Sequence, residues 1–360
     1  MPIAERPWLD RIQAYRPGKH ATSPEGSMAS NESPLGASPA VAAAIARTVD
    51  QVHHYPDPLA DELRAELAGL HGVDADQILI GNGSDELIFL LASAYLAHGG
   101  HAVCADPAYQ IDRISTYTVN ARLTQVPLRH WAHDLESMAD VDADIAYVVN
   151  PHNPTGTVRS LTDISRFVAQ SPAQLVVVDE AYIDFAANPA EQSALPLVDG
   201  GRVAVLRTFS KIHGLAGLRV GYLVADRSII ATLQKIRAPF SVGSLGQAAA
   251  LAALRDPAHK RAVRDHTLRL RTELVRILEQ AGYTAIASQA NFVLVETPNE
   301  EDFVARLFDH GVSVRPGTAL GVPGTVRISV PSERGLELLK HALEAEKTKT
   351  MSNAAASGLA

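Results

Sequence analysis

The chain has 360 residues, of which 46% are hydrophobic and 20% charged, a composition typical of a globular protein. Its formal net charge is −8 and no basic stripe is present, which argues against a nucleic-acid partner. No apolar run reaches the roughly 18 residues of a membrane-spanning helix, and the first residues lack the apolar core of a signal peptide. Because Cys104 is the single cysteine, disulfides and thiolate metal clusters are excluded, and we expect a cytoplasmic protein.

The length of the chain and the change in residue pattern along it predict two domains with flanking segments. A chain this long exceeds one ordinary hydrophobic core. Residues 1–30 contain several Pro and Gly without a clear period and are predicted to form an N-terminal arm. A large domain is predicted for 31–245, a small C-terminal domain for 246–346, and a disordered tail for 347–360, which is rich in small and polar residues.

Short apolar runs alternate with helix-like stretches through the large domain. This alternation predicts an α/β fold with a mostly parallel sheet between helices. The predicted strands are 77–80, 101–105, 144–149, 175–178, 202–206 and 220–224. After residue 245 a long helical stretch to 282 and the strands 291–296, 312–315 and 325–330 predict a smaller α+β domain.

Polar or glycine-rich sequence follows five of these strands. In open α/β sheets ligands bind beyond the carboxyl ends of the strands, so the five endings are expected to meet in one cleft. They are Gly81-Asn-Gly-Ser-Asp-Glu86, Asp106-Pro-Ala-Tyr109, Asn150-Pro-His-Asn-Pro-Thr-Gly156, Asp179-Glu-Ala-Tyr182 and Arg207-Thr-Phe-Ser-Lys211.

Lys211 stands among hydroxyls and glycines directly after a predicted strand. A deprotonated lysine amine forms Schiff bases with carbonyl compounds. Thr208 and Ser210 can donate hydrogen bonds to a phosphate, and Arg219 can pair with one bidentately. The segment therefore favours covalent binding of a phosphorylated aldehyde, although a solvated surface lysine is the ordinary alternative.

Three further residues suit a planar, charged ring. Asp179 ends the most apolar run, where a carboxylate needs a charged partner such as a protonated pyridine nitrogen; a helix N-cap is the alternative. Asn153 lies in a rigid proline turn and can bind a phenolate oxygen of that ring, unless it only shapes the turn. Tyr109 can stack on the ring or pack in the core.

Two segments suit anionic groups. The backbone amides of Gly83, Ser84 and Asp85 are predicted to lie at a helix N-terminus, which suits a phosphate. The segment lacks the third glycine of the dinucleotide-binding fingerprint, which argues against a NAD-type oxidoreductase. Arg327 interrupts an apolar strand and is a candidate for binding a substrate carboxylate.

In this order and spacing the chain resembles the fold-type I pyridoxal-phosphate aminotransferases and, within them, the histidinol-phosphate aminotransferase family. The resemblance covers roughly residues 8–345. The matching residues are Ala29-Ser-Asn-Glu-Ser-Pro34, Tyr55-Pro56, the five strand endings above, Gly214-Leu-Ala-Gly-Leu-Arg219, Ala290-Asn-Phe-Val293 and Arg327. The resemblance implies a seven-stranded mixed, mostly parallel sheet in the large domain, and a homodimer with its active site at the subunit interface.

The resemblance also implies a role for each candidate residue, with pyridoxal 5′-phosphate as the cofactor. The catalytic residues would be Lys211 as covalent anchor and proton carrier, Asp179 on the pyridine nitrogen and Tyr182 on the ring oxygen. The remaining cofactor-binding residues would be Gly83, Ser84, Asp85, Tyr109, Asn153, Thr208, Ser210, Arg219 and, from the other subunit, Tyr55. The substrate-binding residues would be Tyr15, Asn31, Asn291, Arg315 and Arg327.

The implied reaction interconverts histidinol phosphate and imidazole acetol phosphate, with glutamate and 2-oxoglutarate as the second pair, by a ping-pong mechanism. An aromatic (phenylalanine) aminotransferase is the alternative, because Pro239-Phe-Ser241 and its neighbours resemble the actinobacterial enzymes of that kind. A threonine-phosphate decarboxylase is less favoured. A non-catalytic relative is disfavoured by the intact Lys211 and Asp179.

No metal site is predicted. The histidine pairs at 53–54 and at His130 with His133 have no Glu or Cys at the spacing that would complete a zinc site.

Overall fold

The computed structural model describes residues 5–14, 21–96 and 99–357, with side chains described as far as 345. Its centre is a seven-stranded sheet in which one strand, β7, runs antiparallel to both neighbours, β1 and β6. In spatial order the strands are β1 Ile78–Gly81, β7 Gly221–Val224, β6 Val203–Thr208, β5 Leu175–Asp179, β4 Ile145–Val149, β2 His101–Asp106 and β3 Arg122–Pro127. The predicted mixed, mostly parallel sheet is confirmed.

The central strands are buried on both faces. In β5, Val176 and Val178 belong to one hydrophobic cluster, while Leu175 and Val177 belong to the cluster on the opposite face. A strand covered by helices on both sides needs apolar residues at every position, and this is why its sequence is a continuous apolar run.

Helices cover both faces of this sheet and continue into the small domain. They are α1 Pro39–Thr48, α2 Asp61–His71, α3 Gly83–Tyr95, α4 Gln110–Thr118, α5 Leu135–Ala139, α6 Leu161–Gln170, α7 Pro189–Gln192, α8 Arg227–Gln234, α9 Ser244–Leu254, α10 Pro257–Gln280, α11 Glu300–Asp309 and α12 Glu333–Ser357. Short 3₁₀ helices lie at Pro7–Arg11, Val49–Gln51, Ala75–Gln77, Ile183–Phe185, Leu195–Gly200, Ala216–Leu218 and Thr318–Leu320. No helix of the described residues is long and apolar enough to cross a membrane.

The small domain is built on a four-stranded antiparallel sheet. Its strands, in spatial order, are β10 Arg315–Pro316, β11 Thr325–Ser329, β9 Phe292–Glu296 and β8 Thr284–Ala285. Their apolar side chains pack against helices α10, α11 and α12 in a separate hydrophobic cluster. The predicted smaller α+β domain is confirmed.

The structure differs from the predicted elements in three strands. Of the predicted strand 312–315 only Arg315 lies in a strand, β10, while Ser313 makes an isolated bridge with Ser27. The edge strand β3, Arg-Leu-Thr-Gln-Val-Pro, was not predicted because its exposed position at the sheet edge allows polar residues. The two-residue strand β8 was also missed, since so short a strand carries no alternating pattern.

The chain segments also pack differently from the predicted domain bounds. Helix α9 begins at Ser244 and spans the predicted boundary at 245, and its residues Ala249, Ala250 and Ala253 pack in the large-domain core. Met28, assigned to the N-terminal arm, is buried in the small-domain core. Helix α12 continues to Ser357, into the segment predicted to be disordered, where several alanines favour extension of a helix already begun.

Candidate active site

A cavity of about 470 Å³ lies beyond the carboxyl ends of β2, β4, β5 and β6, between the two domains. The predicted site residues that line it are Asn31, Ser84, Asp85, Tyr109, Asn153, Asp179, Tyr182, Thr208, Ser210, Lys211, Arg219, Arg315 and Arg327. The strand endings converge because parallel strands deliver their carboxyl ends to the same edge of the sheet. Arg315, Leu320 and Arg327 close the cavity from the small domain.

Lys211 follows β6 after a short turn. Its Nζ donates a hydrogen bond to the Ser30 carbonyl at 3.3 Å and lies 5.6 Å from the centre of the Tyr182 ring. The amine is thus directed into the cavity between a carbonyl and an aromatic face, where it can reach a bound carbonyl compound.

Asp179 is the last residue of β5 and is 6% exposed. Burial raises its pKa from 3.8 to about 7; the Ala181 N–H, which donates to Oδ1 at 2.9 Å, opposes this rise, while the nearby Asp85 and Glu180 carboxylates add to it. Lys211 lowers the pKa slightly. The carboxylate therefore lacks a close cation of its own, and a cationic ring nitrogen would stabilise its ionised form.

Glu180 adjoins Asp179 but belongs to a separate buried network. Its carboxylate accepts hydrogen bonds from Arg207 at 2.8 Å, from Ser193 at 2.9 Å and from the Ala194 N–H at 2.6 Å. The two adjacent acids thus differ in their available partners, and Asp179 is the one that lines the cavity.

Tyr182 is held by the N-terminal segment. The Asn31 side-chain amide donates to the Tyr182 hydroxyl at 3.1 Å, and the Asn31 carbonyl accepts from Asn291 Nδ2 at 3.0 Å. Asn291 is 1% exposed and does not line the cavity, so its contact in this structure is with the Asn31 backbone.

The four consecutive residues 28–31, which we call the strap, contact both domains. Met28 pairs with the backbones of Ser313 and Ser329 in the small domain. The Ala29 carbonyl accepts from Arg327 at 2.7 Å. The Ser30 and Asn31 contacts with Lys211 and Tyr182 then connect the strap to the large domain.

The two arginines of the small domain lie side by side. Arg315 and Arg327 are directly opposite in the antiparallel pair of β10 and β11, and both are buried. Arg327 also donates to Asn153 Oδ1 at 2.7 Å. Two arginines that are register partners in the sheet and line the same cavity suit an anionic group of a ligand.

The other end of the cavity has the parts of a phosphate site. Helix α3 begins at Gly83, so the N–H groups of its first turn are available. Arg219 lies against this turn: its Nη2 is 3.0 Å from Asp85 Oδ2, and a Cβ placed on Gly83 would come 2.5 Å from that nitrogen. Its Nη1 is 3.5 Å from the Ser210 hydroxyl.

Tyr109 directs its hydroxyl to the same corner and donates to Asp85 Oδ1 at 2.9 Å. Burial raises the pKa of Tyr109 well above its usual range, and the negative charge of Asp85 raises it further, so the phenol stays neutral. The sequence predicted Tyr109 only as a stacking ring, and the bond from its hydroxyl to Asp85 fixes the orientation of that ring.

These residues fit a phosphorylated pyridine aldehyde. The amine of Lys211 matches its aldehyde, and the buried acid Asp179 matches its ring nitrogen. The Arg219 guanidinium and the backbone amides that begin at Gly83 match its phosphate. The close approach of Arg219 to Gly83 is the feature most specific to this fit, because any side chain there would displace the guanidinium.

Tyr55 and Tyr15 are not placed in this cavity. Tyr55 is 83% exposed and stacks on Phe240, with ring centres 4.6 Å apart. Tyr15 falls outside the described residues. Their assigned roles stay predictions.

Sequence reasoning missed two kinds of contributor. The carbonyls of Ala29 and Ser30 bind Arg327 and Lys211 through the backbone, which no residue type reveals. Ser329 hydrogen-bonds Asn31 from within β11, and its position two residues after Arg327 on the same face of the strand was the available signal.

Comparison with known proteins agrees with this geometry. The model of the family Aminotransferase class I and II matches residues 26–345. A histidinol-phosphate aminotransferase of Brevibacillus brevis is 38% identical over 309 residues, covering 84% of this chain and 85% of that protein. One from Geobacillus sp. is 37% identical, covering 93% and 96%.

Among solved structures, histidinol-phosphate aminotransferase from Sinorhizobium meliloti in complex with pyridoxal-5′-phosphate superposes with a TM-score of 0.86 and 28% identity, covering 94% of this chain and 95% of that one. The predicted fold-type I architecture is confirmed. The chain belongs to the class I and II aminotransferases, in the histidinol-phosphate aminotransferase family, and is a transaminase that uses pyridoxal phosphate.

Proposed function

We propose that this enzyme transfers an amino group between histidinol phosphate and 2-oxoglutarate, giving imidazole acetol phosphate and glutamate. The observation that carries this proposal is the pair Arg315 and Arg327, which lines the same cavity as Lys211. A phosphate ester presents two negative charges to this pair, and relatives that are 37% and 38% identical bear the name of this activity.

Each cavity residue then has a defined task. Lys211 would remove the proton from the substrate carbon that bears the amino group, as a general base, and would then deliver it, as a general acid, to the cofactor carbon on the other side of the amino nitrogen. Bound pyridoxal phosphate supplies the electron sink for this proton transfer. Asp179 would keep the ring nitrogen protonated, and Asn153 and Tyr182 would donate hydrogen bonds to the ring oxygen.

The phosphate of the cofactor would lie at the start of α3. The amides of Gly83, Ser84 and Asp85, the hydroxyls of Thr208 and Ser210, and the Arg219 guanidinium supply donors there. The Asp85 carboxylate already pairs with Arg219 and Tyr109 and so orients the Arg219 guanidinium, while the Asp85 backbone N–H would be its own contact with the phosphate.

A homodimer that shares the active site is part of the proposal. Tyr55 and Phe240 stack on each other and are both exposed, and a second copy would cover them. The exposed apolar side chains among the described residues also include Val49, Val52, Leu59 and Ile236. A cytoplasmic location stays a prediction.

Two measurements test the function. The purified protein with pyridoxal phosphate should show an absorbance band near the visible edge that borohydride removes and that Lys211→Ala lacks. Histidinol phosphate should exceed phenylalanine, tyrosine and tryptophan in kcat/KM with 2-oxoglutarate. A preference of more than about tenfold for phenylalanine, or about 1.4 kcal/mol, would replace the proposed substrate by an aromatic one.

A further inference from the structure

Asn31 is the residue of the strap that contacts Tyr182, and its backbone conformation is strained. Its φ of 55° lies in the left-handed region, which is uncommon for residues other than glycine but tolerated by asparagine. The residue is 1% exposed. Something must therefore hold both its backbone and its side-chain amide in place.

Ser329 makes both contacts that do this. Its hydroxyl oxygen accepts a hydrogen bond from the Asn31 N–H at 2.8 Å, and its proton is donated to Asn31 Oδ1 at 2.9 Å. Ser329 is 2% exposed and lies at the end of β11, two residues after Arg327. One hydroxyl thus fixes the backbone and the side chain of the same residue.

The direction of these bonds determines what Tyr182 can do. Because Asn31 Oδ1 accepts from Ser329, the amide presents Nδ2 to Tyr182, and the Tyr182 oxygen accepts that bond at 3.1 Å. The phenolic proton of Tyr182 is then available for a hydrogen bond to a ligand oxygen. Such a bond stabilises the negatively charged form of that oxygen.

We propose that Ser329 is a positioning residue that acts through Asn31 to make Tyr182 a donor to the ring oxygen of the cofactor. The inference rests on the proposed function, since it requires Tyr182 to contact that oxygen. Ser329 belongs to the small-domain sheet and Tyr182 to the large domain. Asn31 contacts both residues and so connects the two domains.

The test is the pH titration of the visible absorbance of the cofactor-loaded protein. A weaker donor leaves the charged ring oxygen less stabilised, so the cofactor retains its proton to a higher pH. Ser329→Ala should raise the titration midpoint by about 0.5 to 1 unit, the effect of losing roughly one hydrogen bond. Ser329→Thr, which keeps the hydroxyl, should restore the midpoint of the parent protein.

Thr325→Val is the matched control. Thr325 lies on the same face of β11, is 2% exposed, and donates to the Val322 carbonyl at 2.6 Å without contact to Asn31. Its loss should lower thermal stability and leave the midpoint unchanged.

A double variant tests the route of the effect. Asn31→Gly keeps the left-handed backbone and removes the amide, so it should raise the midpoint, and Ser329→Ala should add nothing in that background. An unchanged midpoint in Ser329→Ala or in Asn31→Gly, or additive shifts in the double variant, would overturn the inference. Absence of the absorbance band from the parent protein would instead count against the proposed function.

Discussion

Arg327 of the small domain donates a hydrogen bond to Asn153 Oδ1 of the large domain at 2.7 Å. Because Oδ1 is the accepting end of the amide, Nδ2 is left to donate to a ligand. The residue proposed to bind the anionic end of the substrate therefore also orients an amide proposed to bind the cofactor ring.

Arg327→Lys should accordingly change two properties at once. We expect kcat/KM for histidinol phosphate to fall about 10- to 100-fold, because a lysine cannot make both charge-assisted bonds of the guanidinium. The absorbance midpoint of the bound cofactor should also rise. Arg306→Lys, in an ion pair with Asp302 on α11, is the control and should leave both unchanged. Normal steady-state kinetics in Arg327→Lys would contradict this role.

The pKa of Asp179 predicts a pH-dependent stability of the cofactor-free protein. The folded chain keeps this proton up to about pH 7, whereas the unfolded chain releases it near the ordinary pKa of 3.8. Stability should therefore fall between these two pH values, and Asp179→Asn should remove that fall, which is on the order of 4 kcal/mol at pH 8 because each pKa unit corresponds to about 1.4 kcal/mol.

Urea unfolding of the cofactor-free protein at pH 5 and pH 8 measures this effect. Asp179→Asn should stabilise the protein relative to the parent most strongly at pH 8 and by a clearly smaller amount at pH 5, while pyridoxal phosphate should bind the variant more weakly. Asp265→Asn, an exposed acid on α10, serves as the control. An equal difference at both pH values would show that burial of Asp179 does not control the titration.

Gly83 should tolerate no side chain. Gly83→Ala places a Cβ 2.5 Å from Arg219 Nη2, so the guanidinium must move away from the start of α3. We expect the affinity for pyridoxal phosphate, measured by equilibrium titration, to fall about tenfold or more.

Gly201→Ala separates backbone strain from this contact. Gly201 has a similar φ of +78°, against +74° for Gly83, but no atom lies within 4 Å of its added Cβ. It should cost about 1 kcal/mol of stability and leave cofactor affinity unchanged. Equal affinities in the two variants would refute the proposed phosphate position.

Mixed dimers test whether Tyr55 serves the partner's site. Lys211→Ala and Tyr55→Ala should each be impaired alone. After unfolding and refolding together, about half of the dimers should be mixed, each with one site that has Lys211 from one subunit and Tyr55 from the other. Activity should then exceed the sum of the separate variants. No recovery in verified mixed dimers would place Tyr55 in the site of its own subunit.

The sequence predicted those parts of the fold and site that depend on residue type in a local pattern. Strand β5 was found because burial on both faces requires a continuous apolar run, and Asp179 stood out at its end. Strand β3 was not found, since an edge position does not impose such a pattern.

Contacts between distant segments were less accessible. Ser329 lies 298 residues from Asn31, and a serine in a strand has no local feature that reveals its partner. The hydrogen bond that Lys211 donates to Ser30 uses a backbone carbonyl, which every residue possesses. These hydrogen-bond partners come together only after both domains have folded.

The strap has little tolerance for a change in its length. Residues 28 to 31 contact, in order, the small-domain sheet, Arg327, Lys211 and Tyr182. An inserted or deleted residue would shift every later contact by one position, whereas most substitutions would leave the two carbonyl contacts intact. During divergence, this segment should therefore accept changes of residue type more readily than insertions or deletions.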